Sequence, residues 1–155
     1  MTRDRRGFRY ALQPVLSMTS WQVDQIAHEL AGHNAAVRQQ EAKVGQLADA
    51  LGAARDAVML QRQSAARLDI DAQRNAHAYM LQVQQLLLLE RAALRELEQE
   101  RDAVHARFVE ARQLADGLER DKETAAAEHD LAVAKRDYQQ SDDNWLQRQH
   151  WRNPQ

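Results

Sequence analysis

The sequence has no cysteine, and prolines and glycines are few: Pro14 and Pro154 are the only prolines, and there are five glycines in 155 residues. Without cysteine there can be no disulfide staple or thiolate metal site, and the chain fits a reducing compartment such as the cytoplasm. No cluster of Gly, Pro, Asn and Ser separates Val15 from Trp145, so no internal domain boundary is signalled and residues 1–155 are expected to form a single unit. No apolar run approaches the roughly 20 residues that span a bilayer. The early arginines lead into no signal-peptide apolar stretch, so direct membrane insertion is not expected. One-signed charge is also missing. The formal net charge is −2, and beyond Arg3, Arg5, Arg6 and Arg9 the charges are mixed, which leaves no long basic stripe for nucleic acid.

What is abundant is Ala, Leu, Gln, Glu and Arg, residues that lose little side-chain freedom in a helix. Every seventh residue from Leu16 is apolar: Val23, Leu30, Val37, Val44, Leu51, Val58, Ala65, Ala72, Tyr79 and Leu86. This sets the a position of a heptad. The matching d line begins Leu12, Thr19, Ile26, His33, Gln40 and Leu47 and is about half polar, so the seam should be marginal and adaptable. After Leu86 the pattern shifts by one residue to Leu87, Leu94, Leu97, Val104, Phe108, Ala111 and Leu118, which marks a second arm.

Between the arms, Asp69 and Asp71 can cap a helix and Asn75 tolerates the left-handed conformation that ends one. The expected fold is all-α, a long antiparallel two-helix coiled-coil hairpin. Its first arm covers about 12–72, its turn about 69–78 and its second arm about 79–150. Each arm would hold roughly 60 to 65 residues, or about 90 to 100 Å of helix. The alternative is one continuous helix in a parallel dimeric coiled coil, which the a line running through the turn region favours. Gly32, Gly45, Gly52 and Gly117 fall at b or c, away from the seam, where each costs about 1 kcal/mol relative to alanine.

Little in the chain looks catalytic. The segment from His28 to His33 resembles a zinc-protease helix, but the second histidine falls five residues on rather than four. Five residues rotate about 140° beyond a full turn, so the two rings diverge and Glu29 has no metal to serve. His77, His105, His129 and His150 read as surface or seam histidines, with no acid or thiol at helical spacing that would build a catalytic constellation. Ser17, Ser20, Ser64 and Ser141 lie in no strand-to-helix elbow. No catalytic, metal or cofactor-binding residue is assigned, and enzyme activity is not expected.

The larger side chains point to docking instead. Phe8, Tyr10, Trp21, Trp145 and Trp151 lie near the termini, which a hairpin of equal arms would bring together with Arg5, Arg6, Arg9, Arg148 and Arg152. Trp, Tyr and Arg are enriched in binding hot spots. The four leucines Leu86 to Leu89 sweep about 300° of a helix, so one seam cannot bury them all. Leu87 and Leu88 are the candidates there.

The opening stretch FRYALQPVLSMTSWQVDQIAHELAGHNAAVRQQEAKVGQL resembles the first helix of the stalk proteins of type III export systems, flagellar FliJ and its virulence counterparts YscO and SctO. The likeness rests on a short basic start, the Leu12 and Leu16 pair, Val23, Asp24, Ala27 and Leu30 within VDQIAHEL, and the heptad continuation through Glu41. It covers roughly the first third of the chain and implies an antiparallel hairpin similar to the shaft of a rotary ATPase. It also implies that the end bearing the termini enters the hexameric export ATPase while the shaft reaches the export gate protein. Some members also bind free export chaperones. Ala50, Ala53, Ala54 and Ala57 stand where the family sometimes carries aromatics, so no gate residues carry over. The function expected from the resemblance is that of a stalk subunit of the virulence type, cytoplasmic and peripheral at the inner membrane. The alternatives are a dimeric scaffold or tether and a holdase-like export chaperone.

Overall fold

The structure is a computed structural model that describes residues 7–64 and 69–152, with side chains from 7–63 and 69–148. It is all-α. Two long helices, α1 (Gln13–Ser64) and α2 (Ile70–Arg152), pack against each other as a two-helix hairpin. No described helix is long and apolar enough to cross a membrane.

Helix α1 begins where Pro14 can sit in the first turn, because the missing N–H would have no helical acceptor there. Helix α2 begins at an N-cap. The Asp69 carboxylate accepts the backbone N–H groups of Asp71 and Ala72, both at 3.1 Å, satisfying two donors that the helix cannot. Asp71 adds a negative charge to the first turn, where the helix dipole favours it. The expected turn at 69–78 is therefore displaced. Residues 70–78 are helical, and among the described residues no side-chain-bearing residue has a positive φ, so Asn75 does not end a helix. Asp69 is a start signal, and of the alanines after it Ala72 and Ala76 are partly shielded while Ala78 is exposed. The rest of the connection, 65–68, lies outside the described residues.

The residues fall into two compact units, the first within Met1–Asp24 and Glu110–Gln155 and the second Gln25–Val109. In the second unit the helices are antiparallel. Arg107 Nη1 lies 3.2 Å from Glu29 Oε1, and Gln40 reaches Glu90. Burial follows the heptad lines. On α1 the shielded side chains include Val37, Gln40, Val44, Leu47 and Leu51, and on α2 Met80, Val83, Leu87, Leu94 and Leu97. Leu51, Val83 and Leu87 form the tightest cluster, with Val44, Leu47, Ala48 and Met80 packed around it. The one-residue shift at Leu87 is the register of α2. Tyr79 and Leu86, which continue the α1 heptad line in the sequence, are 50% and 43% exposed.

Polar residues occupy this seam as well. Gln40 is buried, and its Nε2 donates to the Glu90 carbonyl oxygen at 3.0 Å and to the Glu90 carboxylate. His33 lies 3.9 Å from Glu100. A buried amide that is hydrogen-bonded to a charged acceptor no longer carries a desolvation cost without return.

In the first unit, Leu16, Thr19 and Val23 of α1 are buried, as are Ala115 and Ala126 of α2. Thr19 at d satisfies its own hydroxyl by donating to the Val15 carbonyl at 2.9 Å. Beyond Asp130 the helix changes character, because every described side chain from Leu131 to Arg148 is exposed. The arms are unequal, at 52 and 83 residues, and not of similar length as the sequence led us to expect.

Candidate functional site

The first unit holds most of the candidate docking residues, and it sorts them into three places. A short segment ahead of α1, residues 7–12, starts with Gly7 at φ +92°, a left-handed conformation that suits glycine. Phe8 then stacks obliquely on His129, with ring centroids 5.5 Å apart and planes at 58°. The Tyr10 hydroxyl donates to Asp121 Oδ2 at 2.6 Å and to the Leu118 carbonyl at 3.3 Å. That bond to Asp121, then desolvation and the repulsion of a second negative charge by Asp121, push the Tyr10 hydroxyl up from about 10 to about 12. Phe8, Arg9, Tyr10, Gln13 and Lys122 line an open groove of about 390 Å³, with aromatic walls and two cationic side chains. Beside Phe8, the buried His129 Nδ1 has no hydrogen-bond partner among the described residues.

The other terminal aromatics are elsewhere. Trp21 is 62% exposed at heptad position f, pointing away from the seam. Trp145 is 59% exposed and lies sixteen residues beyond His129, about 24 Å further along α2. Arg148 is exposed on the same extension. Trp151 and Arg152 belong to α2, but their side chains lie outside the described residues, as do Arg5 and Arg6 altogether. The single aromatic and arginine cluster expected from equal arms is therefore not assembled by the described residues. Unequal helices are the reason.

The extension has a pattern of its own. Leu131, Tyr138 and Trp145 recur every seven residues and are 72%, 75% and 59% exposed. Seven residues are close to two helical turns, so all three lie along one face. Sequence reasoning missed this stripe because it lies at c, off the seam line. It also missed Asp121 and Lys122, whose signal is their position one and two turns from Leu118 and Ala115 on the face that meets residues 7–12.

In the second unit, Leu87 is only 5% exposed and belongs to the core. Leu88 is 61% exposed and stays available. His28 is exposed and His33 faces the seam, so the two rings diverge as their spacing requires.

Compared with models of known protein families, with curated proteins and with solved structures, the chain matches none.

Proposed function

We propose that this chain is a docking stalk, a subunit of a type III secretion apparatus that engages the hexameric export ATPase and links it to the export gate at the cytoplasmic face of the inner membrane. The observation that supports the reading best is the bare end of α2. A helix that carries Leu131, Tyr138 and Trp145 at heptad spacing, all exposed, has the anchor pattern of a helix laid into an apolar groove. Docking of this kind turns over no substrate and needs no cofactor.

The test is binding of the full chain to a purified hexameric secretion ATPase. Combined Tyr138→Ala and Trp145→Ala substitution is expected to weaken binding at least tenfold with helicity by circular dichroism unchanged. Equal binding by wild type and variant rejects the stalk reading. A second reading, a dimeric scaffold, draws on the uncharged face formed by Tyr79, Leu86 and Leu89, all exposed. Sedimentation equilibrium separates the two, since only the scaffold requires a dimer that Leu89→Glu dissolves.

A further inference from the structure

The side of the second unit opposite that uncharged face is different in kind. Heptad positions b and e of both helices share it. Ala48, Gly52, Leu87 and Leu88 form the floor and wall of a groove of about 260 Å³, with Arg55 of α1 and Arg91 of α2 at its edges. Leu81 and Leu88, seven residues apart, are each 61% exposed along one side. Gly52 leaves the other side open, and a Cβ placed there would meet nothing within 4 Å.

The charge on this face has one sign. Between residues 45 and 62 on α1 and 70 and 91 on α2, positions b and e carry Arg55, Arg62, Arg74 and Arg91 and no carboxylate. Neither Arg55 nor Arg91 is ion-paired among the described residues. The acids that flank the face, Glu41 and Glu98, do not bridge to them. Unpaired guanidinium groups at the rim of an apolar groove present two demands at once: an apolar side chain for the floor and carboxylates for the rim.

We infer that this groove is a docking site for an acidic amphipathic helix, one that places apolar residues at i and i+7 between Gly52 and Leu88 and sets carboxylates against Arg55 and Arg91. Charge complementarity selects the occupant. A polyanion such as nucleic acid would meet the arginines but leave Leu81, Leu88 and the groove floor in water. A bilayer surface is flat and does not enter a groove between two helices. A helix satisfies both halves, and the bare backbone at Gly52 lets it approach closely. This surface lies outside the bare end of α2, so it does not depend on the stalk reading.

The probe is a fluorescein-labelled 21-residue helical peptide with leucine at a and d and glutamate at b and e, titrated with the full chain and read by anisotropy. A lysine version of the peptide and vesicles rich in phosphatidylglycerol are titrated alongside. The glutamate peptide is expected to bind at least tenfold more tightly than the lysine peptide. The double variant Arg55→Glu, Arg91→Glu is expected to lose at least tenfold, while Arg112→Glu with Arg120→Glu, outside this unit, loses nothing. Gly52→Leu fills the groove and improves helix propensity, so it should weaken binding at least tenfold with helicity retained. Equal affinity for the two peptides, full affinity in Gly52→Leu, or arginine-dependent binding of vesicles in place of peptide would each overturn the proposal.

Discussion

Replacing the four consecutive leucines one at a time by alanine tests the register of α2 directly. Leu87 is 5% exposed and sits in the cluster with Leu51 and Val83, so its truncation removes nearly a whole buried side chain. Core Leu→Ala substitutions cost about 2.7–5 kcal/mol when a cavity persists. A two-helix seam can close part of that cavity, which places the expected loss near 2–3 kcal/mol. Leu88 and Leu89 are 61% and 68% exposed, and alanine is the better helix former, so each should change stability by less than about 0.5 kcal/mol. Leu86 is 43% exposed, and a bit over half of a transfer energy of about 1.5–3 kcal/mol gives an expected loss near 1 kcal/mol. Urea unfolding followed by circular dichroism reads all four, with the slope held constant across the set. A loss at Leu88 or Leu86 equal to that at Leu87 would mean that the seam is displaced by one residue and would refute the assigned register.

Two further outcomes follow from single contacts. Tyr10 donates to Asp121, so its neutral form is the one the fold favours, with the hydroxyl raised to about 12. The contribution of that bond is fully present below about pH 10 and is lost as pH rises through about 12. Ultraviolet titration in a Tyr79→Phe, Tyr138→Phe background should give a midpoint near 12, falling toward 10 in Asp121→Asn, and an unchanged midpoint in that variant would exclude the bond. Asp69→Ala removes the N-cap of α2 and should cost about 1 kcal/mol, with Asp69→Asn restoring most of it, as measured by thermal unfolding. Equal stability of Asp69→Ala and wild type would place the start of α2 elsewhere.

The heptad lines on both arms were legible in the sequence because burial in a two-helix seam repeats with the same period as the apolar residues. Leu16, Val23, Val37 and Leu51 are buried on α1, as are Leu87 and Val104 on α2. Charged members of the α2 seam were not legible. Glu90, Arg101 and Lys122 are partly shielded, yet apolar patterning assigns such residues to the surface. The meeting of the terminal aromatics failed for a geometric reason. Moving a turn along an antiparallel hairpin displaces every facing position by twice the shift, so a connection between Ser64 and Ile70 in place of a turn at 69–78 sets Tyr10 against Leu118 and Asp121 and leaves Trp145 far beyond.

The polar d line has a different consequence from the one its composition suggests. A half-polar seam reads as loose packing if its polar groups are left facing apolar neighbours. Here Gln40 meets Glu90, and His33 approaches Glu100. Each such pair exists in one alignment only. Sliding the helices by a turn would strand a buried amide and a shielded carboxylate, at a cost of about 1–3 kcal/mol for each group left without a partner. Apolar contacts alone discriminate far less, because Leu and Val recur at every heptad and slide onto their equivalents. The wet seam therefore fixes the register of the second unit rather than softening it, in the way that a single polar residue at a core position specifies alignment in other coiled coils. Because the seam is committed to holding that alignment, the surfaces it leaves uncovered for the docking proposed above are the arginine-rimmed groove at Gly52 and the bare end of α2.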